Sequence, residues 1–586
     1  MKRALTEASL ILKPEAYSDG TLQSVKPLDG SGDFTFTRGS NLAATRVNKD
    51  GLIEKGRENL LLHSNQFDTT WTLASQMLTP VGGQSGYDGS SDAWKIQRSD
   101  ASARFIRQDV TQSGVATFSL YAKAGNVDYI TLLTNGGNLT KGIFELAADG
   151  SGTNTYLDSD NITSSIEYIG SGWYRVSITF NEPITDVRIY PSETPTAEGG
   201  VITDAFVYIQ DAQLELGLVA TDYIETGATT AKAGVLEDTP RLDYSGGATE
   251  PSLLLEPQRT NSVPLSEYIV GMSSLGGDTS ALSWDSSILN PEGYNGAISY
   301  TLNNYVRKSD ILTGLSLGDK ISYSIFAKSD SNQILTFGGQ FGGENANFNV
   351  NTGTLVSQGA NCDSYDIIDC GNGWRRYVVN ITYQDSIGNG FSYAYFEWNS
   401  NTESVYLWGW QVEQGATYPT SYIPTYGSSV TRGRDLTDKG ANLSYTGDYT
   451  LFMEFELTKD AVYLLNSTTG TSYSIFLEAS NTVLRFGQTG GDSAIVRFQN
   501  TFDWRAAIGT TIKMAFYKIG TNAKLFVNGT PYTPSENTLS TGNEVLDWRY
   551  LNYSNAADRQ EQAYIKQLVE FETDLSDAEC IKLTTL

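Results

Sequence analysis

The 586-residue sequence predicts an all-β fold: tandem antiparallel β-sandwich (jelly-roll) domains after a short amino-terminal β or extended segment. Three observations predict it. Aromatic residues are plentiful (Tyr 34, Phe 23, Trp 10), Gly reaches 57, and only 18% of residues are charged; this mix suits short strands joined by tight turns. Apolar and polar residues alternate at period two in many short runs, with no evident helix of ordinary length. Finally, one motif set is written twice, about 200 residues apart. The first copy reads Gly172-Trp173-Tyr174-Arg175-Val176, Gln213-Leu214-Glu215-Leu216-Gly217 and Tyr223-Ile224. The second reads Gly373-Trp374-Arg375-Arg376-Tyr377, Gln411-Val412-Glu413-Gln414-Gly415 and Tyr422-Ile423.

The elements follow in order. Residues 1–57 are turn-rich (Ser18-Asp19-Gly20, Asp29-Gly30-Ser31-Gly32) with one alternating strand, Phe34-Thr35-Phe36-Thr37-Arg38. The first sandwich, 58–238, has strands from Ala116 to Lys123, Tyr174 to Phe180 and Phe206 to Leu214. A turn-rich connector, Pro240 to Gly247, opens 239–437, and the second sandwich repeats those strands at Ile321 to Lys328, Arg376 to Tyr383 and Ser404 to Val412. The motif set does not recur in 438–586. That segment is read as a third sandwich, with strands at Tyr449 to Leu457, Tyr473 to Leu477, Ile512 to Tyr517 and Lys524 to Val527. A short helix closes it, with Ser576 and Glu579 spaced as a capping box.

A formal net charge of −27 argues against sequence-independent nucleic-acid binding, which needs clustered Lys and Arg. It argues equally against an anionic membrane surface. No apolar run approaches the roughly 20 residues that span a bilayer, and Met1-Lys2-Arg3 leads into no signal-peptide apolar region. Three cysteines (Cys362, Cys370, Cys580) make no disulfide framework. The expectation is reduced thiols in a chain made in the cytoplasm.

Trp173 and Trp374 open equivalent strands and read as buried anchors, while Gln213, Glu215, Gln411 and Glu413 read as corner residues that bond backbone. Differences between the copies are the better guide to function. Tyr406, Trp408 and Trp410 fall on one strand face by simple alternation, opposite Tyr208, Gln210 and Ala212 of the first copy. Sugar rings stack their C–H faces on aromatic rings, so these three, with Tyr393, Tyr395 and Trp398, form a candidate sugar platform. The same aromatics would equally serve as core filling. In the first copy Trp71, Trp94 and Tyr87 are the comparable candidates. Asp88, Asp92, Asp149, Asp158 and Asp160 sit among Gly and Ser and offer oxygen ligands for a possible Ca²⁺, although no calcium-loop motif appears and solvated turn residues explain them as well. Catalysis has little support: His63 is the sole histidine, which removes most triads and all multi-histidine metal sites. No phosphate-cradling or nucleophile-elbow motif appears. The sequence predicts a protein that is not an enzyme.

Several blocks resemble tail-fibre and other virion proteins of tailed bacteriophages. They are Phe36-Thr37-Arg38-Gly39-Ser40, Ala44-Thr45-Arg46-Val47-Asn48-Lys49-Asp50-Gly51-Leu52-Ile53-Glu54, Pro240-Arg241-Leu242-Asp243-Tyr244, Pro251 to Asn261, Thr420-Ser421-Tyr422-Ile423-Pro424-Thr425 and Val430-Thr431-Arg432. In such proteins the first blocks stand close together, whereas here the whole first copy lies after Glu54. The repeated modules look like carbohydrate-binding jelly rolls, and 438–586 is similar to concanavalin-like or laminin G-like domains. The resemblance implies a virion structural protein, a tail fibre or similar adsorption protein, that binds host-surface glycans. It implies other virion proteins as partners, a homo-oligomer with a trimer favoured, and a place on the particle surface. A head-decorating protein and a polysaccharide depolymerase are the alternatives.

Overall fold

A computed structural model describes residues 6–18, 20–39, 42–159, 161–340, 342–384, 391–439, 443–445, 447–458, 461–466, 473–478, 483–488, 494–539, 546–551 and 562–585. The chain is all-β, and its one described helix longer than a turn, Asp577–Thr584, has the reciprocal Ser576–Glu579 capping box. No described helix is long and apolar enough to cross a membrane.

The first sandwich faces two sheets across one apolar core. One sheet runs Asn161–Gly170, Trp173–Phe180, Ala116–Ala124, Phe206–Leu216, Ala93–Gln97, Val81–Gln84. The other runs Asn154–Leu157, Leu139–Glu145, Tyr129–Asn135, Ile184–Ser192, Ile106–Gln112, Thr72–Leu73. Inward residues such as Phe118, Leu120, Ile130, Leu132, Ile178 and Ile189 are fully buried between them, the two-sheet packing that alternating strands require. The second sandwich repeats the plan. Leu282–Leu289, Asn295–Tyr300, Val405–Gln414, Lys320–Lys328, Arg375–Thr382 and Cys362–Asp369 form its first sheet. Leu275–Gly277, Asn304–Thr313, Phe391–Trp398, Ile334–Gly339, Asn345–Asn349 and Thr354–Gln358 form its second.

The repeated motifs are corner chemistry, as their presence in both copies suggested. Glu215 accepts from the Thr221 backbone N–H (2.8 Å) and hydroxyl (2.6 Å), and the Ile224 N–H donates to Gln213 Oε1 at 2.8 Å. Glu413, Thr420, Gln411 and Ile423 make the same bonds at 3.0, 2.6 and 2.7 Å. Tyr223 meets Ser64, and Tyr422 meets Ser266, each at 2.6 Å. Trp173 and Trp374 are buried.

Strands of residues 1–57 pair with strands far along the chain. Leu10–Leu12 pairs with Ala563–Phe571 of the third sandwich, to which Ser252–Leu255 also pairs. Phe34–Thr37 pairs with Leu436–Asp438. The early strands complete sheets whose other members lie hundreds of residues later, because their apolar faces (Leu10, Leu12, Leu22, Phe34, Phe36) find cover only in that core.

Five side chains scattered along the sequence converge on one buried ionic joint. Arg241 pairs with Glu256 (2.7 Å) and with Asp435, Arg432 pairs with Glu256 (2.6 Å), and Arg38 pairs with Asp435 (3.1 Å); all these side chains are fully buried. Ser421 N–H and Gln562 Nε2 also donate to Glu256, at 2.7 and 2.6 Å. A second joint ties the two repeats. Lys55 reaches Glu267 (2.8 Å) and Glu292 (2.7 Å) of the second sandwich, and Arg57 lies between Glu292 (3.5 Å) and Glu215 (3.7 Å) of the first.

Candidate functional site

The expected sugar platform does not form on the Val405–Gln414 strand. Trp408 and Trp410 are both fully buried and face opposite ways. The cause is a bulge: Phe326 pairs with Trp408 but Ser324 pairs with Gln411, so Gly409 and Trp410 together oppose Ile325. Gly409 takes φ 62°, the left-handed region that a side chain disfavours, and the extra residue reverses alternation beyond it. Trp408 packs against Phe326, Tyr422, Trp374 and Ala297, while Trp410 enters the main core beside Phe396. Trp398 is also fully buried, its indole N–H donating to Glu403 O at 2.6 Å. Tyr406 stays half-buried, one turn of alternation away. In the first copy Trp71 is buried against Phe67, and Trp94 is half-buried with its N–H on Asn65 O at 2.8 Å.

Asp211 occupies the bulge position equivalent to Gly409, at φ 54°. Tyr87 O–H donates to it at 3.0 Å. Burial pushes its carboxyl up to about 7, Tyr87 opposing and Asp92 and Asp88 adding to the rise. A raised carboxyl stabilises the fold fully at low pH and loses that contribution as pH climbs from about 4 through 7. Asp211→Asn keeps an acceptor for Tyr87 and tolerates the left-handed backbone. The variant is expected to exceed the parent in stability at pH 8 and to match it near pH 4, read by urea unfolding at both values.

The described carboxylates considered for Ca²⁺ accept hydrogen bonds from the protein, two of them within turns. Asp149 accepts from Ser151 N–H (3.0 Å) and hydroxyl (2.6 Å), Asp88 from Ser90 N–H (3.0 Å), Asp92 from Gln210 Nε2 (2.8 Å), and Asp158 from Lys141 N–H (3.0 Å). Asp160 lies outside the described residues. Among the described residues no group of three or more His, Cys, Asp or Glu is placed to hold a metal ion.

Two expected residues, Tyr393 and Tyr395, lie on the outer side of the second sandwich's second sheet, where Tyr393 is half-buried and Tyr395 is buried. Val306, Phe396 and Phe337 align across three strands and point into the core, so their neighbours Tyr305, Arg307, Tyr395, Glu397 and Thr336 point outward. The Arg307 guanidinium lies 4.7 Å from the Tyr393 ring centre and 5.9 Å from that of Tyr305. Gln340 Oε1 accepts from Arg307 Nη1 at 2.7 Å. The Tyr305 and Tyr395 rings are 5.9 Å apart, and Tyr395 O–H donates to Glu397. Burial and the Glu397 carboxylate together push the Tyr395 phenol upward, so it remains a donor. Thr336 and Ser357 bond Asn347 at 2.6 Å each. Beside Tyr305 opens a hollow of about 610 Å³ lined by Gly277, Asp278, Thr279, Ser280 and Asn304. The half-exposed Tyr305 and Tyr393 rings, backed by the buried Tyr395 and set among amide, hydroxyl and carboxylate groups, make a surface that can stack and hydrogen-bond at once.

The first sandwich holds the equivalent register, and it is closed. Ile106, Ile189 and Leu132 align as Val306, Phe396 and Phe337 do, which sets Phe105 and Arg107 opposite Tyr305 and Arg307. Residues 193–205 connect its strands where the second copy has only 399–404. This longer segment lies against the face: Thr155 donates to Pro195 O (3.1 Å) and Lys141 pairs with Glu198 (2.6 Å). Thr131, Ile143 and Tyr190 are buried on this outer side. The Phe105-Ile106-Arg107 and Tyr305-Val306-Arg307 pair is a repeat signal that motif reading passed over.

No family model matches the chain, and no curated protein matches it. Similar solved structures exist. The tandem carbohydrate-binding module pair of Paenibacillus barcinonensis Xyn10C is 14% identical, covering 64% of this chain and 99% of that one, at TM-score 0.20. Domains LG4-5 of mouse laminin α1 are 13% identical, covering 44% and 82%, at TM-score 0.16. A Trypanosoma rangeli sialidase is 10% identical, covering 93% and 96%, at TM-score 0.18. The sialidase matches overturn the expectation that the chain is not an enzyme, and that expectation is withdrawn. At these scores they assign no activity.

Proposed function

We propose that the chain binds glycans through the outward face built on Tyr305, Arg307, Tyr393, Tyr395 and Glu397, and that it does so as an adsorption protein displayed on a bacteriophage particle. The observation that carries the binding reading is this face itself: aromatic rings left half-exposed beside paired polar groups, on the repeat whose short 399–404 connection leaves it open. The virion setting is supported by the sequence blocks that resemble tail-fibre proteins. Those blocks supply most of the first buried joint, so they serve the scaffold, while the outward face serves the ligand. Several chains per particle would raise a weak single-site affinity by effective concentration. A homotrimer, with other virion proteins as partners, belongs to the same proposal.

Tyr305→Ala and Tyr393→Ala are each expected to weaken binding to a retained host-surface polysaccharide about tenfold, a loss of ~1.4 kcal/mol. Both rings lie outside the core, so the unfolding midpoint should hardly move. Glycan-array retention and calorimetry with the full chain measure the first effect, and urea unfolding the second. Unchanged affinity in both variants would reject this face as the binding surface.

A further inference from the structure

We infer that the glycan taken by the second sandwich carries a carboxylate, sparsely spaced along the chain, which Arg307 receives. This rests on the glycan-binding reading of the same face.

The argument starts from how the two repeats treat their equivalent arginines. In the first, the charges on this side are matched internally: Arg107 lies 3.4 Å from Asp109, Arg188 pairs with Asp186 at 2.5 Å, and Lys141 pairs with Glu198. In the second, Arg307 has no carboxylate within ion-pair distance among the described residues; the buried Nε lacks a hydrogen-bond partner in Arg107 and Arg307 alike, so the repeats differ in the ion pair alone. The nearest acid of the face, Glu397, accepts from Tyr395 O–H instead.

Arg307 is nonetheless held in place. Gln340 fixes Nη1, and the Tyr393 and Tyr305 rings flank the guanidinium. With Nε buried and one Nη1 hydrogen on Gln340, the remaining Nη1 and Nη2 hydrogens offer a fork that matches a carboxylate in two-point geometry. A neutral sugar hydroxyl would use one donor and leave the charge unmatched. The whole-chain charge sets the other limit. At −27 the protein repels a dense polyanion, while one carboxylate at contact distance feels the local arginine more than distant charges screened beyond ~8 Å at physiological salt. The favoured ligand is therefore a mostly neutral oligosaccharide with an occasional uronic or sialic acid, not a sulfated or continuously acidic polymer.

The test uses the full chain on an array of neutral, uronate-bearing and sialate-bearing oligosaccharides, followed by titration of the best acidic binder and its methyl ester. Retention should favour carboxylate-bearing members, and esterification should weaken binding about tenfold or more. Arg307→Gln should bind acid and ester alike, at the level the parent shows for the ester. Arg307→Lys, which keeps the charge but loses the fork, should fall between, and urea unfolding checks that both variants fold. If the retained glycans are neutral, or if neither esterification nor Arg307→Gln changes affinity while Tyr305→Ala still weakens it, the carboxylate inference falls and glycan binding at this face stands. If no glycan is retained, or neither Tyr305→Ala nor Tyr393→Ala has an effect, both fall.

Discussion

Glu256→Gln is expected to destabilise the protein by about 3–5 kcal/mol, the usual result of removing one partner from a buried ionic cluster. Arg432 would lose its carboxylate, and Arg241 one of its two. Gln would keep an acceptor for Ser421 but supply no charge. The same substitution has a distinct pH signature. Burial opposes ionisation of Glu256, yet Arg432 and Arg241 outweigh it and hold the carboxyl down to about 2. A depressed carboxyl stabilises the fold above its unfolded value near 4.5 and loses that contribution as pH falls through 2. The gap between parent and variant should therefore be full at pH 7 and narrow between pH 4.5 and 2. Using the parent–variant difference cancels groups that titrate in the opposite sense, such as the buried Glu570, whose carboxyl is pushed well up by desolvation. Urea unfolding across pH 2.5–7 measures it, and a difference that stays flat with pH would show that charge is not what Glu256 contributes.

Trp410→Ala is expected to cost about 3–5 kcal/mol, the scale of emptying an indole-sized volume from a packed core. The ring is fully buried against Phe396 in the second sandwich, and neighbours on both sheets limit collapse around the void. Glycan affinity of the folded fraction should be unchanged, the reverse of what Tyr305→Ala does. A variant with parental stability and lost binding would restore the tryptophan platform that alternation had suggested.

How far the sequence could be read follows from where each signal is local. Strand periodicity and the doubled Gln-x-Glu-x-Gly motif are short-range, and they led to the sandwiches and to the corner role of Glu215 and Glu413. The bulge at Gly409 was not legible, because nothing in Leu407-Trp408-Gly409-Trp410 says that two residues will oppose one. That single inserted residue sent the two tryptophans to opposite faces. The first repeat concealed it further by placing Asp211, not Gly, at the same left-handed position. Tyr305 and Arg307 were readable in principle, since Phe105 and Arg107 repeat them, but the alternation that exposes them depends on which sheet face is inside. The buried joints were least legible of all. Arg38, Arg241, Glu256, Arg432 and Asp435 are scattered along the sequence, and only the fold makes one cluster of them.

The pairing of Leu10–Leu12 with Ala563–Phe571 has a consequence for biosynthesis. At ~5–20 residues per second, a ribosome needs roughly half a minute to two minutes to travel between the two strands. Throughout that interval the early strand has only the bridge of Ile11 to Lys26, and its apolar face must stay out of other associations. The two repeats have ample time to fold meanwhile, since hairpins form in ~1–10 μs. Maturation of this chain is thus expected to include a late closure in which Leu10–Leu12 is captured by the much later-made Ala563–Phe571.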